Sequence, residues 1–132
     1  MASNLLEPGT GRIVGEGGWS VEHTPAAATQ ATISQAAAGT GVRNVCRSIT
    51  ATIAVQATVQ TPIRVVLRDG ATGAGTVLWS AKLAAPANGV GVVSATGHWV
   101  GSENTAMTLE FTAAGVASSE AAVAMSGITA RQ

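Results

Sequence analysis

Three acidic side chains are the first candidates for chemistry. Asp69 with Glu103 or Glu110 offers two carboxylates, the equipment of a glycoside hydrolase. Asp69, however, directly precedes Gly70, and aspartate is favoured in turns for its side-chain hydrogen bond to the backbone. That position makes Asp69 structural. A second set is His23, Cys46 and His98, which would hold zinc if folding brought them together. Their spacing matches no ligand motif. Cys46 sits in a run of strand-forming residues, where cysteine serves as a small apolar side chain. A Ser-His-Asp triad can be written from any chain this rich in serine, and no Gly-x-Ser-x-Gly elbow supports one. The glycine-rich stretch from Gly70 to Gly75 lacks the Lys-Ser/Thr ending and the helix of a phosphate-binding loop. Gly39-Thr40-Gly41-Val42-Arg43 fails the same test. Both read as turns. The expectation is a chain that is not an enzyme and holds no metal or cofactor.

The large aromatics are Trp19, Trp79, Trp99 and Phe111. Two exposed tryptophans would stack on sugar rings, whereas buried ones would fill a core otherwise short of bulk. Trp79 falls on the apolar side of its run, which favours the core. Trp19 follows a glycine-rich arm and suits an anchor between subunits, since tryptophan is enriched at interface hot spots. Trp99 lies beside His98 at a strand end. Arg64 and Arg68 share the outer side of one run, where they would pair with acids on a partner or be solvated. Trp19, Arg64, Arg68 and Trp99 are therefore the interface candidates.

Composition narrows the function classes further. Only 11% of the 132 residues are charged, against about 25% in a typical domain. Lys82 is the only lysine and Asp69 the only aspartate, and the seven basic and seven acidic residues give a net charge of zero. The cations are scattered, so the clustered charge that phosphate backbones demand is missing and nucleic-acid binding is not expected. No run approaches 18 uninterrupted apolar residues, so no membrane span is expected. The opening Met1-Ala2-Ser3-Asn4 has no basic stretch leading into an apolar one, which predicts synthesis in a cytoplasm without a signal peptide. A lone cysteine makes no internal disulfide. Much of the hydrophobic fraction is alanine, which brings little area per residue, so association would add stability.

Strand and turn signals position these residues. Residues 1–18 hold Pro8 and several glycines and read as an extended arm; 19–132 read as one β-sandwich domain. Short strands are predicted at 18–23 and 29–35. The stretch from Val42 to Gln60 alternates, with Val45, Ile49, Ala51, Ile53, Val55 and Val59 on an apolar side and mainly Ser, Thr, Asn and Gln on the other. Arg47 breaks the apolar side and suggests a strand end or bulge. A bend is expected near 56–58. Ile63-Arg64-Val65-Val66-Leu67-Arg68 and Val77 to Leu83 flank the Asp69–Thr76 turn as a hairpin. Val90 to Val100, Met107 to Phe111 and Ala121 to Ile128 complete about eight strands without a helix. Such spacing indicates an all-β antiparallel β-sandwich, a jelly roll or an immunoglobulin-like fold, and a jelly roll suits the strand number. Val90-Gly91-Val92-Val93 has no charge to protect it from pairing if it lies at an edge.

Three segments carry a resemblance: Gly41 to Cys46 leading into the alternating strand, Val66 to Ser80, and Gly101 to Phe111. Over roughly residues 39–130 the chain resembles capsid cement (decoration) proteins of the β-sandwich type from tailed bacteriophages. The arm lies outside the resemblance. The resemblance implies a protein on the capsid exterior that bridges major-capsid subunits, self-associates as a dimer or trimer, and carries no catalytic residues. A tail or head-fibre component, or a carbohydrate-binding module, is the alternative.

Overall fold

The computed structural model describes residues 17–131, with the backbone of Leu5–Leu6 and Ile13–Val14 before them. These two short pieces, β1 (Leu5–Leu6) and β2 (Ile13–Val14), pair antiparallel. The rest of the arm read over 1–18 lies outside the described residues, apart from Gly17 and Gly18. Those two already belong to the sandwich: Gly17 exchanges hydrogen bonds with Thr129, and Gly18 pairs with Ile128.

Eight strands follow: β3 (Gly18–His23), β4 (Thr32–Gln35), β5 (Val42–Ala54), β6 (Gln60–Asp69), β7 (Thr76–Ala85), β8 (Val90–Glu103), β9 (Met107–Phe111) and β10 (Glu120–Arg131). One sheet has the order β3-β10-β5-β8 and the other β4-β9-β6-β7, all antiparallel. The pairing has a simple logic. β6 and β7 form a hairpin, and outward from it β5 pairs β8, β4 pairs β9 and β3 pairs β10. The chain is thus one long two-stranded ribbon, folded at the 69–76 turn and rolled up. Pairing of β10 with β5 and of β6 with β9 closes the roll. That is a jelly roll, and it resolves the alternative of an immunoglobulin-like order.

The inner faces hold Ile49, Ala51 and Ile53 of β5, Val65 and Leu67 of β6, Met107, Leu109 and Phe111 of β9, and Val123 and Met125 of β10, all buried. Trp79 and Trp99 stand on the edge strands β7 and β8 and pack partly buried against this core. Their rings meet edge-on, centroids 6.3 Å apart at 62°. Their contact joins the β7 and β8 edges of the two sheets.

Local departures from the alternation have physical causes. The ladder of β10 with β5 passes from Ser126↔Ser48 to Gly127↔Cys46, and that of β5 with β8 from Ser48↔Thr96 to Cys46↔Trp99. Arg47 is skipped in both, so it is the bulged residue, and its side chain is exposed. The bulge shifts the phase of β5. Asn44, expected on the hydroxyl side, is buried and its amide donates to the Ala36 and Thr105 carbonyls. The expected strand to Gln60 stops at Ala54, and Val59 is exposed in the turn instead of on the apolar face.

Truncating Phe111 to alanine is expected to lower unfolding free energy by about 3–5 kcal/mol, through lost burial and a residual cavity. Urea denaturation followed by tryptophan fluorescence measures it; an unchanged midpoint would show the β9 face misassigned.

Candidate functional site

Each acid singled out for chemistry is engaged in a different place. Asp69, at the end of β6, accepts from the Ser102 amide at 2.9 Å and the Ser102 hydroxyl at 2.5 Å. It thereby ties the hairpin of one sheet to β8 of the other. Glu103 accepts from the Gly41 amide at 2.5 Å, fastening the loop before β5. Glu110 lies on the outer side of β9, yet its side chain is only 3% exposed. It holds the Arg68 guanidinium at 3.0 Å and accepts from the Gly73 amide at 2.8 Å.

The burial of Glu110 has a visible cause. The 70–75 loop folds back across the outer face of its sheet. Gly75, at φ 88° and with no room for a Cβ against the Asp69 carbonyl, lets the chain reverse there. The Thr108 hydroxyl donates to the Gly70 carbonyl at 2.8 Å and meets Ser34 Oγ at 2.6 Å, and Thr72 Oγ1 lies 3.3 Å from Thr32 Oγ1. Arg68 and Glu110 thus clamp a loop. The charge of Arg68, read from the sequence as available to a partner, is engaged inside the chain. Arg64, four residues before Arg68 on the same strand, is exposed.

The histidines and cysteine stay apart. His23 Nδ1 accepts from the Thr32 amide at 3.1 Å and so joins β3 to β4, while His98 is exposed on β8. Among the described residues no three His, Cys, Asp or Glu side chains group as metal ligands. Cys46 is fully buried, and burial pushes its thiol up to about 11.

Trp19 is partly buried against the core, facing Gly127 across the ladder. Any Cβ on Gly127 would strike the indole and the Val45 carbonyl. The Trp19 indole N–H is buried without a partner among the described residues. Trp99 covers Gly97 on its own strand and meets Trp79. All three tryptophans therefore lie partly in the core, and none forms an open stacking platform.

The surface that the structure assembles is the outer face of β3-β10-β5-β8. Register places Val92, Thr52 and Ala122 in one row. The next holds Ser94, Thr50, Ala124 and Glu22, and the next Thr96, Ser48, Ser126 and Ser20. Ser48 and Ser126 touch through their hydroxyls at 3.1 Å. Val90 and Val92, 59% and 60% exposed, border the face on β8. Charge enters this face at Glu22 and Glu120 near its margins and at Arg47, exposed at the β5 bulge beside the Ser48 row. The hydroxyl side of the Val42–Gln60 alternation was the sequence signal for this face. Its neighbours on β10 and β8 are long-range partners that spacing does not reveal.

Glu110→Ala is expected to cost about 2 kcal/mol, the scale of a lost charge-assisted hydrogen bond, and to raise proteolytic cleavage within 70–75; an unaltered cleavage pattern would remove the clamp. Cys46 in the folded chain is expected to react with a soluble disulfide reagent at pH 8 at least about 100-fold more slowly than in urea, from the thiolate fraction alone. Because folding raises this pKa, its stabilisation is whole below the ordinary thiol value and is lost as pH rises toward 11. Equal rates in both states would contradict the burial.

No family model and no curated protein matches the chain. Among solved structures, a chain from Bacillus endospore appendages, described as a family of disulfide-linked pili, is similar at 17% identity. That similarity covers 88% of this chain and 86% of that one, with a TM-score of 0.38. A chain of the Nora virus structure is similar at 12% identity, covering 88% of this chain and 57% of that one, with a TM-score of 0.31. These are distant likenesses of a β-sandwich, and they assign the chain to no specific family.

Proposed function

We propose that this chain is a structural virion protein, a cement protein that binds the outside of an icosahedral phage capsid and bridges major-capsid subunits. One observation carries the reading: the Thr/Ser/Ala/Val-rich outer face of the β3-β10-β5-β8 sheet, with few charges among its short side chains. A flat face without long side chains binds by shape and by many weak contacts, because ordering it costs little side-chain entropy. On a lattice, such contacts multiply with copy number. The use of Asp69, Glu103 and Glu110 to hold loops fits a structural role better than catalysis. The sequence resemblance over residues 39–130 supplies the capsid as partner.

The test is the copy number of the protein in purified virions, by quantitative mass spectrometry against the major capsid protein. A ratio near one, or a simple fraction of it, is expected. A handful of copies would indicate a tail or head-fibre component, and none would end the capsid reading. Thr50→Glu, placing charge in the middle of the face between Ser94 and Ala124, is expected to abolish shell binding while the melting temperature stays near that of the parent. Removing residues 1–16 is expected to leave the sandwich folded and weaken attachment; full binding by the truncated chain would assign the arm no part in it.

A further inference from the structure

We propose that the free edge of β8 pairs antiparallel with β8 of a second copy of this chain, joining two four-stranded sheets into one. The sandwich has four edges: β3 and β8 on one sheet, β4 and β7 on the other. Three are guarded in ways that discourage strand addition. β4 has only 4 residues, β3 has 6 and carries Glu22, and β7 carries exposed Lys82, the only lysine of the chain. β8 differs. It is 14 residues long, and from Val90 to Ser102 it contains no Asp, Glu, Lys or Arg.

The ladder shows which groups β8 offers. The Val55 amide donates to the Gly89 carbonyl at 3.0 Å, so those residues form a hydrogen-bonded pair. Antiparallel pairs alternate, and the register runs unbroken from Ala54↔Val90 to Ser48↔Thr96. The backbone N–H and C=O of Val90, Val92, Ser94 and Thr96 therefore turn away from β5, toward the open edge. The Pro86–Gly89 turn ends this stretch on one side, and the Gly97-His98 irregularity opposite Arg47 ends it on the other.

This stretch suits its own copy. Pairing it with itself sets Val90 against the second copy's Thr96 and Val92 against the second copy's Ser94. The two-fold axis then repeats each pair, as an isologous interface requires. Every outward backbone group of the stretch finds a partner. Zero net charge and an uncharged strand remove the repulsion that would oppose two identical edges. The two exposed valines gain cross-strand neighbours, which accounts for large apolar side chains standing at 59% and 60% exposure on a face otherwise made of small residues.

The pairing deepens the proposed function by naming a self-contact for the cement protein and stands apart from it, since a dimer in solution and a place in virions are separate measurements. Sedimentation equilibrium of the full chain is expected to show a concentration-dependent dimer. Val92→Lys and Ser94→Pro are expected to leave monomers with unchanged far-ultraviolet circular dichroism; proline suits an edge position whose N–H faces outward. Ser20→Lys, on the opposite edge of the same sheet, is expected to keep the dimer. Amide exchange at Val92 and Ser94 is expected to slow in the dimer and speed up in Val92→Lys, a readout independent of whether Ser94→Pro folds. A parent chain that stays monomeric at high micromolar concentration would overturn the proposal. So would a dimer indifferent to Val92→Lys, or open-ended oligomers.

Discussion

The burial of β9 on both sides is the constraint on which the rest of the molecule depends. Met107, Leu109 and Phe111 face inward and supply much of the large apolar volume in a chain dominated by alanine and small polar residues. The alternate residues, Thr108 and Glu110, must then face outward, and they are buried as well. A buried carboxylate is strongly unfavourable unless a countercharge and donors meet it. Arg68 on the adjacent β6 and the Gly73 amide from the returning loop supply both. The inner core, the ion pair and the conformation of the 70–75 loop are therefore one arrangement. The hairpin at the centre of the rolled ribbon is the part that this arrangement holds.

The scarce charges elsewhere follow the same logic. Asp69 and Glu103 each accept from backbone amides and join segments distant in sequence. His23 joins the first strands of the two sheets by accepting a hydrogen bond from the Thr32 amide. Charges used in this way leave the outer face of β3-β10-β5-β8 nearly neutral. A surface of short side chains on a rigid sheet is suited to close contact with another surface, because little has to be ordered or desolvated when it is covered.

Tryptophan solves the problem of bulk. Trp79 and Trp99 meet edge-on between the β7 and β8 edges and pack against the core from both sheets. Trp19 has the corresponding place at β3, made possible by Gly127 opposite. Rings in these positions carry stability as well as any contact with partners, so their exposed portions cannot be read as a separate binding platform.

Much of this architecture was legible in the residues. The period-two alternation in β5, β6, β7 and β9, the Asp-Gly and Pro-Ala-Asn-Gly turns, and the misfit of Arg47 identified the strands, the hairpin and a bulge, because side-chain alternation and backbone freedom are local properties. The jelly-roll order was not local. It follows from which strands bury each other's faces, and spacing alone left an immunoglobulin-like order open. The place of Arg68 likewise needed the fold: its partner lies 42 positions away, and only the β6–β9 pairing brings the two side chains together. The neutral outer face was half visible, as the hydroxyl side of β5. Its completion by β10 and β8 was decided by tertiary structure, since a sheet surface is assembled across strands and its register is set by the apolar residues on the opposite side.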